Sequence, residues 1–494
     1  MNAVRLERPV ITSDGVTLRW SGTGALYREP EVRIALEQAD RIPERFWILI
    51  AMLGQCTHWC LLRPVQVCLP CHLSESEFAR WQRLLEIVCN TLDATRDDQC
   101  PQGQVELING DLILPDPHPI PANSRVAACF SGGRDSMVQA GLLRECGHRP
   151  LLVATTSPMP PLNDHQTPRR REVLRAMANH PDFELLEVTA TTRANWDNGF
   201  SFHQGYSIPV NCMTDTLVYL THALAAAYLH HYGLVVIASE REVSENRMVN
   251  GKLVLFDHFM YALPVLAAAD ALVKPWGLSV GSMTSALHGV HLQALLWKRY
   301  PDLAKYQYSC WRVGPEQSAC SACSKCLLCG LGALAAGGDP EWMGINLVDL
   351  LLHAQTYEPK WMPDPEKPAN LKEKITHDHH QTIVRYFGHL TPFRLAVYLV
   401  RHPRLWRRAS EYSACFCALA RIRRTFLPAI EPTRPTWNRA DLVFVPPPLR
   451  EACGRIFTEA LPDFEDHPAD EVHCRNREAC DWITGKDRIT PHDT

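Results

Sequence analysis

Between Asn123 and Ser239 short, continuous apolar runs alternate with longer amphipathic ones. The apolar runs Val126–Phe130, Leu151–Thr156, Leu185–Thr191 and Leu234–Ser239 are predicted as strands. Met137–Cys146, Arg169–Asn179 and the strongly apolar Asp215–His230 are predicted as helices between them. Strands without polar alternation are buried on both faces, so the pattern predicts an α/β fold, a doubly wound parallel sheet with helices on each side. Upstream, Pro43–Gly54 and Glu75–Leu92 read as helices, and Val65–Leu69 and Val105–Ile108 as strands. Downstream, Arg394–Arg408 and Tyr412–Arg424 carry helical periodicity.

Proline marks the joints. Leu114–Pro121 has proline at every second position from Pro115, which makes a stiff, extended connector. Further prolines cluster at Pro359, Pro363, Pro365 and Pro368, and at Pro446–Pro448. These joints predict an N-terminal accessory α+β segment (1–122), the sheet domain with a cysteine-rich end (123–338) and a mainly helical C-terminal extension (339–494).

The stretch Ser131-Gly132-Gly133-Arg134-Asp135-Ser136 lies where the first strand of the sheet domain feeds a helix. A strand passing through glycines into a helix N-terminus aims backbone N–H groups at an anion, and Ser131 and Ser136 add hydroxyl donors. Asp135 suits such a site only where a cation such as Mg²⁺ accompanies the anion, which points to a nucleotide–metal complex. No Lys-Ser/Thr pair follows the glycines, so the stretch is not a Walker loop. In a doubly wound sheet ligands bind beyond the C-terminal ends of the strands, where this stretch falls.

Cys320, Cys323, Cys326 and Cys329 form three CxxC steps, and Cys310 precedes them. Thiolates at this spacing converge on a soft cation, as a tetrahedral zinc site or an iron–sulfur cluster. Nineteen cysteines in a chain expected to be cytosolic suggest metal ligation and buried thiols rather than disulfides. The formal net charge of −4 excludes a nucleic-acid coat protein. The opening residues lack a signal-peptide core, and the longest apolar runs, such as Phe46–Leu53, are too short to span a bilayer. A cytoplasmic location without a membrane partner is expected.

SGGxDS followed by S-C…CxxCxxC resembles the 7-cyano-7-deazaguanine synthases, the QueC-like branch of the PP-loop ATP pyrophosphatases. The resemblance covers about residues 123–335. It implies that ATP is cleaved between its α- and β-phosphates, with Ser131, Gly132, Gly133, Arg134, Asp135 and Ser136 at the nucleotide and Asp135 and Ser136 as catalytic residues. It implies Mg²⁺ with the nucleotide and zinc on Cys310, Cys320, Cys323 and Cys326, with Cys329 as an alternate ligand. Arg134, at the family's variable position, is either a phosphate partner or solvated. The implied substrate is a 7-deazaguanine carboxylic acid, adenylated and then attacked by ammonia or an amine, to give an amide, a nitrile or a conjugate on a partner protein. About 280 residues lie outside the resemblance, as in enlarged relatives from bacterial antiviral defence systems. Ile208-Pro209-Val210-Asn211 lacks the basic residue of the family's Pro-Gly-Arg-Asn segment, and Glu240–Asn246 is unusually charged. Both lie where the family handles its substrate.

Two other functions fit parts of the pattern. A thiolating PP-loop enzyme would use a cysteine pair near ATP, for which Cys129 and Cys212 are the candidates, and a silent nucleotide-binding subunit would retain the loop without turnover. Cys56, Cys60, Cys68 and Cys71 with His58 and His72 have ligand-like spacing, but their apolar surroundings predict buried thiols. His377-Asp378-His379-His380 is expected as a solvated loop or helix start. The arginines between Arg401 and Arg424 could form a face for RNA or a protein partner, but a solvated helical face is expected; sparse aromatic residues there argue against a single-strand stacking platform, and a nucleic-acid partner is not expected.

Overall fold

A computed structural model describes residues 2–94, 103–156, 168–197, 199–203, 210–241, 246–249, 252–255, 263–308, 310, 319–359, 371–430, 437 and 439–461. Ile208, Pro209, 242–245, Ser309, Pro363, Pro365, Pro368 and the tail from 462, among the residues singled out above, lie outside the described residues.

The first part of the chain supplies strands β1 (Asn2–Leu6), β2 (Val10–Thr12), β3 (Gly15–Ser21) and β4 (Glu31–Ala35), then helix α1 (Glu44–Leu61), β5 (Val65–Cys68), helix α2 (Glu75–Ala94) and β6 (Val105–Ile108). The middle adds β7 (Val126–Cys129), α3 (Arg134–Glu145), β8 (Leu151–Thr156), α4 (Pro168–Ala178), β9 (Glu184–Ala190), α5 (Val210–Leu229) and β10 (Leu234–Val236). A separate hairpin, β11 (Asn246–Val249) with β12 (Lys252–Leu255), precedes α6 (Leu263–Val273), β13 (Ser279–Gly281), α7 (Gly289–Arg299) and α8 (Ser324–Ala335). Helices α9 (Leu347–His353), α10 (Leu371–His389), α11 (Pro392–Arg401), α12 (Tyr412–Phe426) and α13 (Arg450–Ala460) complete the described chain.

One mixed sheet of eleven strands runs through the protein in the order β13-β10-β7-β8-β9-β4-β3-β1-β5-β6, with β2 on β3. The five strands from β13 to β9 are mutually parallel. A wholly parallel sheet was expected; instead the N-terminal strands join it through the antiparallel pair Ile34↔Ala190 and Ala35↔Thr189 of β4 and β9. The strands on both sides of the Leu114–Pro121 connector thus share one sheet. The connector itself is pinned by the Tyr228 hydroxyl donating to the His118 carbonyl (2.9 Å) and the Ile120 N–H donating to Trp276 O (3.0 Å).

The pleat sorts the core. Val126 and Ala128 of β7, with Val236 of β10, face α3, α7 and α8, whereas Ala127 and Cys129, with Val235, face α1 and α5. Burial on both faces produces the unbroken apolar runs of β7, β8 and β10. At the far edge, β6 alternates buried Val105 and Leu107 with exposed Glu106, as expected of a strand covered on one face.

Two helix limits differ from expectation. Helix α3 begins at Arg134 rather than Met137, because extended Gly133 (φ −75°, ψ 172°) is its cap and Asp135 complements the positive end of its dipole. The run Arg394–Arg408 is broken after Arg401: Pro403 holds His402 out of the helical region (φ −117°, ψ 73°), and the chain continues as a 3₁₀ turn from Pro403. No helix among the described residues is long and apolar enough to cross a membrane.

Candidate active site and metal centre

From β7 the chain proceeds to β8 and β9 on one side, then returns to β10 and β13 on the other. The order therefore reverses beside β7, and a crevice opens at such a switch point, past the strand C-termini. It is lined by Cys129 to Ser131, Gly133, Asp135 and Ser136 after β7, by Val153 and Thr155 of β8, and by Ile237 and Ala238 after β10. Arg170 of α4 and Tyr219 of α5 close its sides.

Local chemistry shapes the loop. Gly132 sits at φ +81°, a conformation that L side chains rarely adopt, and a Cβ there would lie 3.1 Å from Val173 Cγ1. Tyr308 N–H donates to Gly132 O (2.7 Å), and Gly133 N–H donates to Ser131 Oγ (3.2 Å). The Ser136 hydroxyl donates to Gly133 O (3.0 Å) and stands 3.3 Å from Ser131 Oγ. The N–H groups in the first turn of α3 have no carbonyl behind them in the helix, and Asp135 and Ser136 of that turn line the crevice.

Asp135 lines the crevice, and its side chain retains 35% of its exposure. Arg134 Nε donates to its Oδ1 (2.6 Å), and among the described residues no hydrogen bond reaches Oδ2. That oxygen fits a hard cation. Arg134 is neither solvated nor turned to the crevice. It is buried, and its Nη2 pairs with the buried Glu240. Burial opposes both charges, yet the Arg134 charge and His379 together hold the Glu240 carboxyl well below the usual carboxylate range.

The sulfurs of Cys310, Cys320, Cys323 and Cys326 all lie within 4.8 Å of one another. The Cys320–Cys326 and Cys323–Cys326 separations are 3.7 and 3.6 Å. Tetrahedral zinc with thiolates at about 2.3 Å sets sulfurs about 3.8 Å apart, so the four could hold one such ion. An iron–sulfur cluster interposes several metal atoms and would spread its thiolates further, so the spacing fits it poorly. Cys329 is not in this group; it follows Cys326 by nearly one helical turn on α8 and lies within the electrostatic reach of Arg134.

Other expected clusters resolve differently. Among the described residues no second metal-ligand group occurs: Cys56, Cys60 and Cys71 are buried thiols, and His58 Nδ1 bonds to Gln55 Oε1 (2.7 Å) beside the Tyr27 hydroxyl. Burial pushes the Cys129 thiol up to about 12, which unsuits it as a nucleophile at neutral pH. The side chain of Cys212 is outside the described residues. His377 to His380 are not a solvated loop but the middle of α10. His377 is buried against Gln381 (3.3 Å), His380 bonds the Tyr357 hydroxyl, and His379 faces Glu240.

The arginine stretch divides: Arg401, Arg404, Arg407 and Arg424 are exposed, as expected, whereas Arg408, Arg421 and Arg423 are half-buried and tied down. Arg423 Nη1 donates to the carbonyls of Phe387 (2.9 Å) and Leu390 (3.3 Å), capping the end of α10, and Arg421 Nη2 donates to Ala354 O (3.1 Å). Arg408 pairs with Asp349 and Glu411, and Arg404 with Glu341.

Sequence reasoning did not find Arg170 or Tyr219, and met Glu240 and His379 only as members of a charged segment and a histidine cluster. Arg170 was hidden in the run Arg169-Arg170-Arg171, in which both Arg169 and Arg170 are buried; Arg169 donates to Trp342 O (3.1 Å), whereas Arg170 donates to Thr155 O (2.9 Å) and lines the crevice. The chain matches no protein-family model and no curated protein.

Proposed function

We propose that this protein is an ATP-dependent C–N bond-forming enzyme that adenylates a carboxylic acid, releases pyrophosphate and transfers the acyl group to ammonia or an amine. One observation carries the reading: a glycine-turned loop with two serine hydroxyls, a helix N-terminus and a carboxylate oxygen left for a cation, all at the switch point of a parallel sheet. An anion site that includes a carboxylate is a site for a polyphosphate with its metal.

A carboxylate is a poor electrophile because its leaving group would be oxide. Its oxygen attacks the α-phosphorus, the bond to the β-phosphate bridging oxygen breaks, and pyrophosphate departs. Ammonia then attacks the acyl carbon, AMP leaves with the former carboxylate oxygen, and the nitrogen loses a proton. Ser131, Ser136 and the first-turn N–H groups of α3 hold the departing pyrophosphate. Asp135 would hold Mg²⁺, which neutralises phosphate charge when bound. Arg170 and Tyr219 line the crevice where acid and nucleotide meet. The zinc centre clamps the start of α8 and is structural.

The resemblance names the acid as a 7-deazaguanine carboxylate, and the long extension favours a specialised relative of the defence-associated kind. The burial of Cys129 disfavours the thiolation alternative. The test is mass spectrometry of a reaction with MgATP, ammonium and 7-carboxy-7-deazaguanine. AMP with a deazaguanine amide or nitrile supports the reading; intact ATP with that acid removes the substrate, and intact ATP with every acid and amine tried removes the enzyme class.

A further inference from the structure

Five segments meet around the Arg134 guanidinium: the phosphate loop, the end of β10, the start of α7, α8 and α10. Arg134 Nε reaches Asp135 Oδ1 at 2.6 Å, and Nη2 reaches Glu240 Oε2. On the far side of the same carboxylate, His379 Nε2 of α10 lies 3.7 Å from Glu240 Oε1. There is no slack at α7, because a Cβ on Gly289 would come within 2.9 Å of Arg134 Nη1 and 3.3 Å of Glu240 Oε2. Lys325 of the cysteine-rich turn adds positive potential at both Asp135 and Glu240.

The segment bearing Glu240 is anchored by the C-terminal extension. Arg241 pairs with the buried Asp441, and Ser282 N–H, beside β13, donates to Phe444 O (2.8 Å). Ser239 N–H donates to Thr284 Oγ1 (2.9 Å). The helix carrying His379 packs closely on α8, where Gly332 leaves room: a Cβ there would meet Gln293 Cγ at 2.8 Å and Tyr386 Cε2 at 3.2 Å.

We infer that Glu240, with His379 of the extension 3.7 Å from its second oxygen, is a positioning residue that keeps Asp135 able to take a cation. An arginine facing a single carboxylate prefers a two-point grip on both oxygens. With Nη2 committed to Glu240, Arg134 offers Asp135 only Nε, and Oδ2 stays turned to the crevice. Without the Glu240 charge the guanidinium swings onto both Asp135 oxygens and competes with the metal. The extension thus completes the site through Glu240 without touching nucleotide. This rests on the reading of Asp135 as the cation-holding residue.

The experiment is a Mg²⁺ titration of binding of a non-cleavable ATP analogue, α,β-methylene-ATP, to the full chain by calorimetry. For Glu240→Gln the Mg²⁺ half-saturation point rises about tenfold, the effect of losing one charge-assisted contact, while metal-free analogue binding is unchanged. For His379→Ala it rises roughly threefold, and His379→Gln, which restores a donor, returns it toward the parent value. A folded Glu240→Gln variant with the parent's half-saturation point overturns the inference and leaves the nucleotide reading intact. Should that variant fail to fold, an unmoved half-saturation point in His379→Ala overturns it instead. Absence of Mg²⁺-dependent analogue binding in the parent overturns both.

Discussion

Substituting Gly132 by alanine probes the geometry of the loop. Its backbone lies at φ +81°, where an L-residue costs about 1–2 kcal/mol. Alanine also stiffens the unfolded chain, which returns about 0.4–1 kcal/mol, so backbone strain alone leaves roughly 0.5–1 kcal/mol of destabilisation. The new methyl would sit 3.1 Å from Val173 Cγ1, on a buried side chain, and relieving that contact adds about 1 kcal/mol. Gly337 supplies the control: its φ is +88°, yet a Cβ there meets nothing within 4 Å. Urea denaturation is expected to show Gly337→Ala losing about 0.5–1 kcal/mol and Gly132→Ala about 1.5–2 kcal/mol. Val173→Ala in the Gly132→Ala background removes the steric part of the coupling. Nucleotide affinity should fall only in the Gly132→Ala variant. Equal losses at the two glycines, or unchanged affinity in Gly132→Ala, refute the reasoning.

Three further outcomes follow from the same structure. Elemental analysis of the purified chain is expected to find one zinc per molecule, and chelation or Cys323→Ser should lower the thermal midpoint; a metal-free chain of unchanged stability contradicts the cluster. Arg134→Met strands the buried Glu240 and should cost about 3 kcal/mol in a denaturation series, whereas Arg134→Met with Glu240→Met recovers most of it; additive losses deny the pairing. Burial lowers His58 to about 3 and His222 to about 4, so the unfolded chain binds more protons below the ordinary histidine value. Stability from both is full above about pH 6.5 and falls as the pH drops towards 4, by about 2 kcal/mol each at pH 5. Replacing either by glutamine should flatten that slope, and an unchanged slope would refute its burial in the neutral form.

The parallel half of the sheet was legible because burial on both faces leaves unbroken apolar runs, as in Val126–Cys129 and Leu151–Thr156. Strand β3 carries a clean alternation, with Val16, Leu18 and Trp20 buried and Arg19 and Ser21 exposed, and was overlooked, whereas the three residues of β2 are too few to show a period. The antiparallel join at β4 and β9 is a long-range pairing that no local pattern encodes. At the site, the loop and the cysteine ligands are local motifs, so both could be read directly. Glu240 stands in a charged segment and His379 in a histidine cluster, and their meaning depends on a contact across 139 positions of sequence, visible only after folding. The histidines of α10 were misread for a related reason. Adjacent residues on a helix point in different directions, and here each found a separate buried or half-buried partner.

The central claim is transfer of AMP to a carboxylate oxygen. Incubating the protein with MgATP, ammonium and 7-carboxy-7-deazaguanine labelled with ¹⁸O in its carboxylate tests it directly, because the acyl–adenylate leaves one carboxylate oxygen on phosphorus when nitrogen displaces AMP. The account predicts AMP carrying one heavy oxygen. AMP without the label, or ADP and phosphate as the nucleotide products, would contradict it.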